Sequence, residues 1–222
     1  VCKQTTNQIK RMERTDNKPI IWTTILGVFY PVGVVGFSLD ALIHLFKTLV
    51  PYNLLLTAVI LFSFHRKYNA RQITFALIIA VTAWGIEVIG TNTKAIFGDY
   101  TYGNTLGTKV LNTPLIIGLN WLILIYCACC IAWRSTRTLP MRAFTAAMLM
   151  VFMDIFIEPV AIKYDYWGWL DNEIPFQNYA MWFAVSFVFS ILFFMFEVDA
   201  RNKIAKNVYL IQLAFFIALN LN

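Results

Sequence analysis

Three carboxylates stand inside long apolar runs of this chain: Glu87, and the pair Asp154 and Glu158, which fall on one helical face a turn apart. A carboxyl in such a run is costly and is retained where it finds a partner or faces a polar cavity. Taken out of water it holds its proton more tightly, which suits it to general-acid work near neutral pH. Rings whose faces can stabilise a cation follow close by: Trp84, Tyr100, Tyr102, Trp121, Tyr166, Trp167, Trp169 and Trp182. Together with Asn120, these types are the equipment for protonating an apolar substrate. Each has a plainer reading too, since Trp and Tyr form interfacial belts and an Asn can bridge helices.

The elements that must hold these residues follow from composition. Hydrophobic residues make up 59% of the 222 positions and charged ones 14%, with a mean hydropathy of +0.63. A soluble domain of this size could not bury so much apolar surface, so lipid is the expected solvent. Runs fit to cross a hydrocarbon core occur at 20–39, 48–64, 72–90, 110–133, 142–161, 176–196 and 207–222. The expected fold is an all-α polytopic transmembrane bundle of about seven helices. The second and seventh runs are short, and either could instead lie along the interface. One integral membrane domain covers 1–222, with 1–19 a basic cytoplasmic segment and 20–222 the bundle.

Lys and Arg set the expected orientation. Fourteen of the 18 fall before the first span (Lys3, Lys10, Arg11, Arg14, Lys18) or in alternate connections: Arg66, Lys67 and Arg71; Arg134, Arg137 and Arg142; Arg201, Lys203 and Lys206. This alternation places the N-terminus in the cytoplasm and suits a bacterial-type cytoplasmic, or inner, membrane. Glu87 follows Arg71 by 16 residues and Glu158 follows Arg142 by 16, so both carboxylates lie about 24 Å from the cytoplasmic anchors. The site is therefore expected toward the non-cytoplasmic side, with Asn120 at a similar depth.

Two stretches share an outline. Glu87 precedes Phe97-Gly98-Asp99-Tyr100-Thr101-Tyr102-Gly103, then Pro114 and Asn120-Trp121; Glu158 precedes Tyr164-Asp165-Tyr166-Trp167-Gly168-Trp169, then Pro175, Asn178 and Trp182. A two-helix unit duplicated in parallel, with a site between the copies, would give this pattern.

Trp84-Gly85-Ile86-Glu87-Val88-Ile89-Gly90, the Phe97–Tyr102 turn, Asp154-Ile155-Phe156-Ile157-Glu158-Pro159 and Tyr166-Trp167-Gly168-Trp169 also resemble the motifs of the membrane carotenoid biosynthesis family. That family includes carotenoid 1,2-hydratases of the bisanhydrobacterioruberin hydratase kind. The resemblance runs from about residue 70 to 195. It implies an acyclic carotenoid as substrate, membrane lipid as surroundings, and other enzymes of carotenoid biosynthesis as further partners.

Adding water to a trisubstituted alkene needs an acid, a stabilised tertiary cation and a held water. Asp154 or Glu158 would protonate the terminal C1=C2 bond, Glu87 with Asn120 would position the water, and the rings would line the end-group pocket. A cyclase begins with the same protonation, so the residues leave hydratase and cyclase open, beside a non-catalytic carotenoid-binding or transport protein.

Other classes find no footing in the residues. No cofactor or metal is expected: Cys127, Cys129 and Cys130 sit in an apolar run without His or a second Cys pair and read as packing residues. The basic residues make no continuous stripe for nucleic acid. The last run has no lysine for a retinal Schiff base, and no Gly-rich phosphate loop is present.

Overall fold

The computed structural model describes residues 18–135 and 137–222; of the basic segment 1–19, all but Lys18 and Pro19 lie outside the described residues. Among the described residues seven α-helices form the bundle: α1 (Lys18–Ser38), α2 (Asp40–Ser63), α3 (Ala70–Thr93), α4 (Ile116–Ser135), α5 (Leu139–Lys163), α6 (Phe176–Met195) and α7 (Ala205–Asn220). Helices α1 to α6 are long and apolar enough to cross a membrane, and α7 is the short one at 16 residues.

Two boundaries differ from the apolar runs. The run at 48–64 belongs to a 24-residue helix whose first turns contain Asp40, His44 and Lys47, and those polar residues hide its start. The run at 110–133 becomes helical only at Ile116, because 109–114 folds into a hairpin of β2 (Lys109–Val110) and β3 (Thr113–Pro114). Leu111 and Asn112 at its tip both have positive φ, as a tight two-residue hairpin turn requires.

Helix α4 is the hub. It is apolar on every side and touches α2, α3, α5, α6 and α7, and it is mostly buried where α1 is mostly exposed. The cysteines Cys127, Cys129 and Cys130 are fully packed within it. The Asn69 side chain caps α3 by accepting from Gln72 N at 3.0 Å. Helix α5 continues through Pro159 to Lys163, so the proline removes one backbone bond without ending the helix.

What positions the site is a ribbon between the two long connections. Strand β1 (Tyr100–Tyr102), after α3, pairs antiparallel with β4 (Trp167–Trp169), after α5, in the register Tyr100 to Trp169 and Tyr102 to Trp167. This antiparallel pairing brings the connection after α3 against the connection after α5, with Thr101 opposite Gly168 at its centre. The ribbon is tied down at its edges. Gly103 N donates to Tyr166 O at 2.9 Å, Leu170 N to Asp99 O at 2.9 Å, and Thr105 Oγ1 to Tyr164 O at 2.7 Å.

Candidate active site

Alternation along a strand sends Tyr100 and Tyr102, and likewise Trp167 and Trp169, to one face of the ribbon, while Thr101 and Gly168 face away. That shared face looks down on the helix ends carrying the carboxylates. Glu87, on α3 and 4% exposed, accepts from Tyr100 Oη at 2.6 Å and Tyr102 Oη at 2.7 Å on one oxygen. Its other oxygen accepts from Trp121 Nε1 on α4 at 2.9 Å. Glu158, on α5 and 1% exposed, accepts from Trp167 Nε1 at 3.0 Å and Trp169 Nε1 at 2.7 Å on Oε2. Asn178 of α6 then joins the acidic pair, donating through Nδ2 to Glu158 Oε1 at 2.8 Å and to Asp154 Oδ2 at 2.9 Å.

The partners of all three carboxylates are thus neutral Tyr, Trp and Asn side chains. Burial, followed by the charge of Glu87, pushes the Tyr100 and Tyr102 phenols far up, so both remain protonated donors. Asp154 is fully buried, and its Oδ1 has no hydrogen-bond partner among the described residues.

Two spaces adjoin this cluster. Between the halves lies a chamber of about 10 Å³, walled by Glu87, Tyr100, Tyr102, Glu158, Asn178 and the rings around them. That is room for roughly one water, with several polar groups to hold it. Stacked Trp121 and Trp182, 4.2 Å between centroids, lie beside it, and Tyr100 packs on Trp169 at 5.1 Å. The second space, a cavity of about 320 Å³, opens between α1, α2, α4, α5 and α7 with an almost wholly apolar wall. Ile117 and Trp167 belong to both walls and separate the two spaces.

The residues singled out in the sequence divide accordingly. Glu87 with Tyr100, Tyr102 and Trp121, and Glu158 with Trp167, Trp169 and, through Asn178, Asp154, form two hydrogen-bonded groups that face each other across the small chamber. Asn120 and Tyr166 face the large cavity instead, and Trp121 occupies the place beside Glu87 expected for Asn120. Trp84 borders neither space; its Cβ lies beside Gly118, and its buried indole N–H has no hydrogen-bond partner among the described residues. Asn178 was visible only as part of the repeated outline, yet it binds two of the three carboxylates. Among the described residues no group of His, Cys, Asp and Glu could hold a metal ion.

The model of the family described as carotenoid biosynthesis protein matches residues 48–221, which contain every one of these groups. The chain belongs to that family. Its curated relative bisanhydrobacterioruberin hydratase of Haloarcula japonica is 28% identical over 137 residues, covering 55% of this chain and 45% of that protein. The chain therefore matches just under half the length of that relative. No solved structure matches.

Proposed function

We propose that this family member hydrates the terminal C1=C2 double bond of an acyclic carotenoid end group, giving a tertiary alcohol. The observation that carries the reading is the one-water chamber between Glu87 and Glu158, set against an apolar cavity and backed by Asp154. A cavity of about 320 Å³ accommodates a branched isoprenoid end, and Ile117 and Trp167 are the side chains it meets next to the carboxylates.

One proton shared by Asp154 and Glu158 is the acid. Two adjacent carboxyls with only an amide between them resist carrying two negative charges, and Asp154 Oδ1 and the remaining lone pair of Glu158 Oε1 are free to hold the proton. Glu158 is the member that walls the chamber, so it delivers the proton to C2. The electron pair of the double bond forms the new C–H bond and leaves a tertiary cation at C1, which Trp167 and Trp169 face. Water held by Glu87, Tyr100 and Tyr102 adds through oxygen to C1. Its surplus proton passes to Glu87 and returns to the pair, so alkene and water become alcohol with no oxidant or reductant.

We place the site on the non-cytoplasmic side, away from the cation-rich connections. A reporter fused after Asn222 is expected to be active outside the cytoplasm, and activity inside would reverse the orientation.

Purified protein given an acyclic carotenoid in heavy-oxygen water tests the reaction. The expected product is an alcohol with one heavy oxygen at each modified end. An isomer of unchanged mass would mean cyclisation, and unaltered pigment that co-purifies would mean binding alone.

A further inference from the structure

Two lysines outside the hydrogen-bonded groups grip the strand that holds Glu87. Lys94 Nζ donates to Tyr100 O at 2.5 Å, and Lys109 Nζ donates to Tyr102 O at 2.6 Å. The acceptors are the main-chain carbonyls of the two residues whose phenols bind Glu87. Their direction follows from the ladder. Asp99 and Gly103 bond to Leu170 and Tyr166 of the other connection, and antiparallel residues bond across in alternation, so Tyr100 and Tyr102 turn their carbonyls to the outer edge of β1. An open strand edge takes up water or another chain, and here an ammonium closes each of the two carbonyls.

The lysines come from either side of β1 in the chain. Lys94 ends α3, the helix of Glu87, with a φ of 61°, a left-handed position that favours glycine. Lys109 opens β2, in the hairpin that leads into α4 and Trp121, the third donor to Glu87. The two side chains therefore tie β1 to both helices of the Glu87 group. Both are half-buried. Asp99 Oδ1 pairs with Lys94 at 2.9 Å, whereas Lys109 has no carboxylate within ion-pair distance among the described residues.

We infer that Lys94 and Lys109 are positioning residues for the capture of water: by fixing the Tyr100 and Tyr102 peptides they hold both phenols, and through them Glu87 and the water, against C1. This rests on the hydratase reading. Protonation belongs to Asp154 and Glu158, so loosening the Glu87 group leaves the cation forming and slows its capture. In deuterium oxide that cation carries one deuterium at C2. When water does not add to C1, loss of a proton to the carboxyl pair reforms an alkene that keeps the deuterium.

The test gives purified protein an acyclic carotenoid in deuterium oxide and compares, by mass spectrometry, the alcohol with the recovered alkene that carries deuterium. Lys94→Met and Lys109→Met, which keep an apolar stem and remove the ammonium, are expected to lower the ratio of alcohol to deuterated alkene about tenfold, the scale of a slight misplacement of an oriented group. Lys94→Arg and Lys109→Arg should restore most of it. The ratio does not depend on how much protein folds. A wild-type ratio in either Met variant, whether or not turnover falls, overturns the inference, as does a fall in the Arg variants as deep as in the Met variants. If the wild type forms no alcohol, the hydratase reading fails by itself, and fluorine NMR of fluorotyrosine-labelled protein decides the clamp. The Tyr100 and Tyr102 resonances, assigned by substitution with Phe, should then shift in the Met variants and stay in place in the Arg variants; resonances unmoved in the Met variants overturn the clamp as well.

Discussion

In one half of the site Glu87 is held by two phenols from β1 and an indole from α4; in the other, Glu158 is held by two indoles from β4 and an amide from α6. Superposing the halves in sequence on Glu87 and Glu158, and on Trp121 and Trp182, leaves two further pairs one turn before these anchors. Where the first half has Ala83 and Ile117, the second has Asp154 and Asn178. The first half therefore carries one carboxylate with every partner satisfied, and the second carries two that share a donor, with a carboxyl oxygen left over. A duplicated scaffold supplies the geometry twice, and two substitutions load the acid into one copy.

The largest expected effect follows from removing that acid. Glu158→Gln or Asp154→Asn should lower turnover by about 10³-fold, in the range of general-acid contributions, with pigment still bound. Product formation per bound pigment is the measurement, and activity retained in both variants would break the contrast between the halves. Glu87→Gln should act less strongly, about 10- to 100-fold, because it alters the holding of water and not the source of the proton. A loss as deep as that of Glu158→Gln would make the halves equal partners.

A smaller effect tests the ribbon that joins them. A Cβ on Gly103 would collide with the backbone oxygen of Asp165, whereas one on Gly168 meets open space. Gly103→Ala should cost about 1–3 kcal/mol of stability, and Gly168→Ala should fall within about 0.5 kcal/mol of wild type, both read by thermal unfolding in detergent. Equal melting temperatures for the two variants would mean the ribbon yields at both strands.

Much of this was legible in the residues. Apolar run lengths give the helix count, and the turn spacing of Asp154 and Glu158 puts them on one face, where Asn178 meets both. The repeated Glu, aromatic, Pro and Trp outline marks the two connections that meet, but not that their aromatic stretches pair as strands β1 and β4. Other features were hidden because they depend on which side of a helix meets a neighbour. Asn120 and Trp121 are adjacent in sequence, and only packing decides that Trp121 turns to Glu87 while Asn120 turns to the large cavity. The cavity itself is built by α1, α2 and α7, whose Tyr30, Asn53 and Gln212 are spread over the chain with no shared spacing.

The most direct measurement of the central claim is made in cells that accumulate an acyclic carotenoid, expressing the wild type, Glu158→Gln or Glu87→Gln, with pigments resolved by chromatography and mass spectrometry. The account predicts a gain of one water per modified end in the wild type, none with Glu158→Gln, and a reduced but detectable gain with Glu87→Gln. A product of unchanged mass, or full hydration by Glu158→Gln, would contradict it.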